Sequence, residues 1–298
     1  MAGENMQPPN PESYLQLIDL AQKEDLGDGD ITSRATIPAD QQGMGSLVFR
    51  QPGILCGIPV IEQVLHRYDE GLSLRNVLND GRDVNADITV AEVTGPMRSL
   101  LAAERVMLNF LQRLSAVATL SGQYVKAIKG TAAKIYDTRK TTPGWRELEK
   151  YAVRCGGGCN HRHGLYDAVL IKDNHLAAMS ECDLYTALTA AVRNIRLADC
   201  RPDFIQVEVD TLDQLRIVLK VEQIDIILLD NMTPVQLCEA VAIRNEISDS
   251  ARVQLEASGG ITLENIRAIA ETGIERISVG ALTHSVGNLD ISLDIKCP

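Results

Sequence analysis

Ile224-Asp225-Ile226-Ile227-Leu228-Leu229-Asp230-Asn231-Met232-Thr233-Pro234 holds the fold in miniature. A short run of apolar, mostly branched side chains ends at a carboxylate. A threonine and a proline follow, the residue types that open a helix. The threonine hydroxyl accepts a backbone N–H, and proline at the first helical position loses no hydrogen bond. An apolar run, a polar terminus and a helix start together describe a buried parallel strand feeding a crossover helix.

The same unit recurs through the second half of the chain. Ala133 to Tyr136 leads to Asp137, Thr138, Arg139 and Lys140. Ala168 to Ile171 leads to Lys172. Phe204 to Val209 carries Glu208 and ends at Asp210. Val253 to Ala257 leads to Ser258-Gly259-Gly260, and Arg276 to Val279 leads to Gly280 and Ala281. Thr142, Thr211 and Thr262 are further expected caps, with Pro143 following the first. Thr211 with Gln214 and Ser180 with Asp183 resemble capping boxes. Strands alternating with helices imply a parallel sheet with right-handed crossovers. Six strands are expected, with a seventh near His161. Eight would close a regular barrel, so residues 121–284 are expected to form an open, incomplete, six- or seven-stranded α/β barrel. Ligands of such folds sit at the C-terminal strand ends. Lys140, Lys172, Glu208, Asp230, Ser258 and Gly280 all fall there.

Residues 12–120 read as a separate α/β sandwich domain. Ser46 to Arg50 and Ile88 to Val93 look like antiparallel strands, and Pro59 to Arg67 like a helix. A long helix is expected from about Met97 to Leu120. Leu100, Ala103, Met107, Phe110, Leu114 and Val117 recur at helical spacing, with Arg105, Asn109 and Gln112 on the opposite face. The tail, 285–298, contains an alternating strand-like run from Leu289 and is expected to return to this domain. Residues 1–11 are polar and are expected to be a disordered lead without a signal peptide.

Composition narrows the function. The net charge is −11 over 298 residues, which disfavours non-specific nucleic-acid binding. Three Phe and one Trp leave little for a base-stacking platform. No apolar run is long enough to span a membrane. Seven cysteines form no disulfide framework, which favours a reduced, cytoplasmic setting. Against that acidic background Arg139, Lys140, His161, Arg162 and Lys172 crowd together, separated by glycines and helix starts. Such a cluster suits a ligand with several negative charges. Taken alone, Arg139-Lys140 also reads as an exposed pair, and His161 as a structural histidine. Glu208 has an alternative reading as the partner of a core lysine, and Asp230 as a turn residue. Cys155, Cys159, His161 and His163 lack the paired spacing of a structural zinc site.

Three motifs carry a family resemblance. They are Thr138-Arg139-Lys140-Thr141-Thr142-Pro143-Gly144, Gly156-Gly157-Gly158-Cys159-Asn160-His161-Arg162 and Leu170-Ile171-Lys172-Asp173-Asn174-His175. With Glu104-Arg105, the run from Leu108 to Ser115 and the stretch from Glu24 to Thr32, they resemble the quinolinate phosphoribosyltransferase family over nearly the whole chain beyond residue 12. Trp145 departs from the pattern, where a smaller aliphatic residue is more usual.

The resemblance implies quinolinate and 5-phosphoribosyl 1-pyrophosphate as substrates. It implies Mg²⁺ as the cation, and nicotinate mononucleotide, pyrophosphate and CO₂ as products of a step in de novo NAD synthesis. It implies a homodimer or larger assembly, with Arg105 reaching a neighbouring subunit's site. Arg105, Thr138, Arg139, His161, Arg162 and Lys172 are then expected around quinolinate. Lys140 is expected to meet pyrophosphate, and Glu208 and Asp230 to hold Mg²⁺. The backbone of Ser258-Gly259-Gly260 and of Val279-Gly280-Ala281 is expected to cradle the 5-phosphate. Lys140, Lys172, Glu208 and Asp230 are the expected catalytic residues. A related phosphoribosyltransferase with another aromatic acceptor and a non-catalytic phosphate-binding barrel protein are the alternatives.

Overall fold

The computed structural model describes residues 7–178, 183–198, 201–247 and 253–296. In chain order the strands are β1 (Gln42–Phe49), β2 (Gly53–Ile54), β3 (Ser73–Arg75), β4 (Asp83–Val84), β5 (Ile88–Pro96), β6 (Lys134–Tyr136), β7 (Val169–Ile171), β8 (Ile205–Val209), β9 (Ile226–Asp230), β10 (Gln254–Ser258), β11 (Arg276–Ser278) and β12 (Ile291–Lys296). The helices are α1 (Leu15–Leu26), α2 (Ile31–Thr36), α3 (Ile58–Tyr68), α4 (Met97–Ala127), α5 (Arg146–Cys155), α6 (Asp173–Ala178), α7 (Leu184–Leu197), α8 (Leu212–Val218), α9 (Pro234–Glu246), α10 (Ile266–Ala270) and α11 (Ala281–His284). They form two compact units. The first comprises Met1–Gln123, Lys140–Gly158 and Leu282–Pro298; the second comprises Tyr124–Arg139 and Cys159–Ala281.

The first unit is built on an antiparallel sheet in the order β12-β1-β5-β3. The alternating tail forms β12, whose Leu293 pairs with Leu47 of β1. The helix expected at Met97 forms, and it runs seven residues beyond Leu120. Its apolar stripe, Leu100, Ala103, Met107, Phe110, Leu114 and Val117, is buried throughout. Each such side chain contributes about 1.5–3 kcal/mol of burial free energy. Arg113 of α4 organises the segment after residue 140. It donates to the buried Glu149 of α5 at 2.7 Å and to the carbonyls of Thr283 and Val286. Trp145 stacks on Phe110 with ring centroids 4.7 Å apart.

Cys56, Asp80 and Cys155 lie together in this unit, their ligand-type atoms within 4.8 Å of one another. The Asp80 carboxylate is already engaged. It accepts from Gly57 N and Ile58 N at the start of α3 and from the Tyr151 hydroxyl. The trio is therefore a helix cap beside two buried thiols; burial above all pushes the Cys56 thiol well up.

The second unit is a six-stranded parallel sheet in the order β6-β11-β10-β9-β8-β7. All six expected strands form. The seventh, near His161, is reduced to a single parallel bridge between Tyr136 and Cys159. β6 and β7 are the sheet's two ends, so the barrel stays open.

The helix starts divide into two groups. Thr211 and Thr233 form complete capping boxes with Gln214 and Gln236, and Pro234 opens α9. Thr142 does not cap α5. Residues 142–145 make a turn, α5 starts behind Trp145, and Thr142 N and Oγ1 both donate to Glu149 instead. Thr262 does not cap α10, which starts four residues later behind Asn265. Asp183 caps α7 itself by accepting from Thr186 N, and its expected partner Ser180 lies outside the described residues. Residues 1–6 of the expected lead also lie outside them. Pro11–Ser13 is a 3-10 turn capped by Asn10. No described helix is long and apolar enough to cross a membrane.

Candidate functional site

Side chains alternate across a strand, so each strand of the second unit has two faces. On one face Val207, Val209, Ile227, Leu229, Leu255, Ala257 and Ile277 are apolar and buried. On the other stand Gln206, Glu208, Asp230, Glu256, Ser258, Arg276, Ser278 and Tyr136. A buried sheet face that carries so many polar groups has to pair them or present them to a ligand.

The end of β6 builds one wall. Asp137 is fully buried, and its carboxylate accepts from His161 N at 2.8 Å and Asn160 Nδ2 at 2.5 Å. Asp137 N–H donates to the Cys159 carbonyl, and Cys159 N–H to the Ile135 carbonyl. The strand and the glycine-rich segment are thereby laced together, bringing Thr138, Arg139, His161 and Arg162 to one place. Arg162 is 9% exposed, and one of its guanidinium nitrogens donates to the Ala168 carbonyl. Burial lowers its pKa first, and the positive field of Arg139 lowers it further, while Asp167 opposes both. Two guanidinium groups held near each other in a partly buried setting have the chemistry to receive an anion with paired oxygens.

His161 stands differently from the cations expected around it. It is buried, its Nδ1 accepts from Arg162 N–H at 2.8 Å, and its Nε2 lies 2.8 Å from Gln206 Oε1. Both ring nitrogens are engaged inside the unit, so the ring orders the site from beneath.

Across the sheet, Lys172 Nζ donates to Glu208 Oε2 at 2.7 Å. Lys172 follows β7, and Glu208 is the last but one residue of β8. Asp230 ends β9, and one of its oxygens accepts from Asn231 Nδ2 at 2.7 Å. Glu208 pairs with Leu228 in register, which puts Asp230 one pleat step further along on the same face. Each carboxylate, Glu208 buried and Asp230 half-buried, keeps acceptor capacity beyond the bond described, and carboxylate oxygens are the ligands that a hard divalent cation takes.

Gly259 and Gly260 follow β10 with φ of +90° and +61°. A Cβ on Gly259 would meet Asn231 Oδ1 at 2.1 Å, so only glycine fits there. The amides of Gly259 and Gly260 have no protein acceptor among the described residues. They are available to an anion. The expected second cradle is narrower than the motif suggested: Val279 N–H is already donated to the Tyr136 carbonyl, and Gly280 and Ala281 lead into α11. No helix start lies directly behind the first cradle, because α10 begins at Ile266.

Lys140 and Arg105 belong to the first unit. Lys140 is exposed, and its carbonyl accepts from Thr283 Oγ1. Arg105 is exposed on α4 and lines a shallow pocket with Asp25, Gly29, Asp30 and Leu101.

The C-terminal domain of quinolinate phosphoribosyl transferase matches residues 117–294, and its N-terminal domain matches residues 30–115. The chain belongs to the quinolinate phosphoribosyltransferase family.

It is 44% identical over 282 residues to the nicotinate-nucleotide pyrophosphorylase (carboxylating) of Mycobacterium leprae, covering 93% of this chain and 95% of that protein. The structure of the nicotinate-nucleotide pyrophosphorylase from Francisella tularensis superposes with a TM-score of 0.87 at 36% identity, covering 98% of this chain and 99% of that one. NadC from Streptococcus pyogenes gives 0.89 at 34% identity, over 97% of this chain and 99% of that one. Within this quinolinate phosphoribosyltransferase fold, Gln206, Glu256 and Arg276 fall outside the three motifs and lie beneath the strand ends. Their signal was present: Gln206 and Glu208, Glu256 and Ser258, and Arg276 and Ser278 are polar pairs two residues apart in otherwise apolar strands.

Proposed function

We propose that the protein transfers phosphoribosyl from 5-phosphoribosyl 1-pyrophosphate to quinolinate with decarboxylation, a step of de novo NAD synthesis. Family membership over both domains supports the reaction. The observation that carries the site is the lacing of the β6 end to the glycine-rich segment through Asp137, which brings Arg139 and the buried Arg162 together. Quinolinate has two adjacent carboxylates, and each guanidinium matches one as a two-donor fork. Each charge-assisted bond contributes about 1.5–3 kcal/mol. Lys172 supplies a further positive charge. The Gly259 and Gly260 amides suit the 5-phosphate.

The C1–O bond of the ribose breaks, and pyrophosphate leaves with the electron pair. The pyridine nitrogen lone pair forms the new bond to C1, so no general base is needed. The ring nitrogen, now positive, draws in the electrons of the neighbouring C–C bond as CO₂ departs, and that ring carbon takes up a proton. Glu208 and Asp230 stabilise positive charge developing at the ribose, and orientation of two bound polyanions contributes most of the remaining rate. Glu208 and Asp230 are also the residues that would hold Mg²⁺, which supplies neutralising charge for pyrophosphate. Lys140 and Arg105 are assigned to pyrophosphate and to a neighbouring subunit's quinolinate by the family resemblance, which also favours a homodimer or larger assembly. Cys56, Cys155, Cys159 and Cys238 are unpaired thiols, in keeping with a cytoplasmic setting.

Purified protein supplied with both substrates and Mg²⁺ is expected to form nicotinate mononucleotide and CO₂ in equal amounts. Absence of product above a no-enzyme blank overturns the proposal. Arg139→Lys and Arg162→Lys keep the charge but lose the fork, and each is expected to weaken quinolinate binding with the fold intact.

A further inference from the structure

We infer that Gln206 and Glu256 are positioning residues that fix Arg162 through His161. The inference rests on Arg162 binding the dicarboxylate, as proposed above. His161 Nδ1 accepts the Arg162 N–H, so it carries no proton. The ring is therefore neutral, with its hydrogen on Nε2. That hydrogen is given to the fully buried Gln206 Oε1 at 2.8 Å, while Glu256 Oε1, equally buried and without a hydrogen bond of its own among the described residues, stands 3.4 Å from Nε2. The edge of the ring system is closed by Phe204, set perpendicular at 5.3 Å. Glu256 cannot swing away, because its other oxygen accepts from Arg276 Nε at 2.7 Å. Arg276 is held in turn over the Tyr136 ring, 3.6 Å from the centroid.

The contacts form one line: Arg276, Glu256, the imidazole of His161, and the main chain of Arg162. Gln206, Glu256 and Arg276 lie two residues before Glu208, Ser258 and Ser278 respectively, on the same face. Gln206 also leaves its amide nitrogen buried without a partner. An apolar side chain of similar size would remove that unpaired nitrogen, but also the acceptor of the His161 Nε2–H. What the glutamine provides is the oxygen on His161, which selects the Nε2–H tautomer and leaves Nδ1 free to take the Arg162 amide. An imidazolium, with hydrogen on both nitrogens, would expel that amide and release Arg162 from its place beside Arg139.

Nitrogen-15 NMR of protein labelled at its five histidines, with His161 assigned by the His161→Gln variant, reads the tautomer directly. At neutral pH His161 is expected to show a bare Nδ1 and a protonated Nε2. A hydrogen on Nδ1, alone or on both nitrogens, overturns the inference. Gln206→Met is the kinetic test. The KM for quinolinate is expected to rise about tenfold, the effect of one lost hydrogen bond, with kcat and the KM for 5-phosphoribosyl 1-pyrophosphate unchanged. Unchanged constants, or an equal rise for both substrates, also overturn it. Should Gln206→Met not fold, the wild-type spectrum decides. Failure of the wild-type protein to turn over would sink the proposed reaction while leaving the tautomer readable, so the two failures are distinguishable.

Discussion

Lys172 Nζ and Glu208 Oε2 are 2.7 Å apart, with the lysine side chain 45% exposed and the glutamate 9% exposed. The outer partner can turn toward a ligand while the inner one stays put. Lys172→Met is therefore expected to reduce quinolinate affinity by about ten- to a hundredfold, the value of one charge-assisted bond. Thermal stability should change little, because an ion pair with one wet partner is worth at most about 1 kcal/mol. Calorimetric titration with quinolinate and a melting curve check both halves. Normal affinity would remove Lys172 from the substrate set.

Gly259→Ala meets two obstacles, a φ of +90° and Asn231 Oδ1 at 2.1 Å from the new Cβ. The loop must shift, at a cost of about 1–3 kcal/mol. The KM for 5-phosphoribosyl 1-pyrophosphate should rise more than that for quinolinate. Gly259→Ala combined with Asn231→Ala relieves the contact but not the backbone strain, so recovery is expected to be partial. Steady-state kinetics with each substrate varied in turn measures this.

Arg113 and Glu149 are the clearest stability pair. Glu149 is fully buried and receives Arg113 Nη2 at 2.7 Å together with Thr142 N and Oγ1. Arg113→Ala leaves a buried carboxylate without its cation, a loss of about 3–5 kcal/mol. Adding Glu149→Gln should restore part of that stability. Urea unfolding of both single variants and the double variant gives the coupling.

Glu256 links stability to acidity. Burial alone would raise its pKa, but the His161 N–H beside it and the Arg276 guanidinium outweigh burial and hold it below the usual carboxylate range. The folded state thus holds the carboxylate ionised where the unfolded chain would protonate it. Its contribution is complete above about pH 5 and is lost as pH falls from there toward 2. Unfolding free energy measured across that window should decline, and Glu256→Gln should decline less steeply. Equal slopes would mean that Glu256 is not a determinant of acid stability.

Much of the barrel was legible because its signals are local. Thr233-Pro234 opens a helix wherever it follows an apolar run, and Thr211 with Gln214 closes a capping box within four residues. Thr142 and Thr262 carried the same local signal and failed. In one case Glu149, seven residues on, competes for the threonine; in the other, Asn265 takes the Thr262 amide. The strand ends were legible for a related reason. A polar side chain that terminates an apolar run is placed by the run itself, so Lys172, Glu208, Asp230 and Ser258 needed no knowledge of the rest of the chain.

Roles were less legible than positions. His161 lies in a basic motif and reads as a cation, yet the side chains that hold its ring come from β8 and β10. Gln206 is 45 residues away along the chain, and no spacing rule connects the two. Val279 likewise reads as a cradle residue until the sheet order puts β11 beside β6 and gives its amide to Tyr136.

By itself, the order of amino acids determined that apolar runs alternate with helix starts, that cations gather in a chain of net charge −11, and that these groups fall at strand ends. Those are properties of neighbours along the chain, set by sterics, capping and hydrophobic period. Only the tertiary structure decided which of the gathered groups are engaged inward and which are left to a ligand. Burial removes water as a partner, so every interior donor must find an acceptor brought to it from another strand, and that pairing exists only once the sheet has assembled.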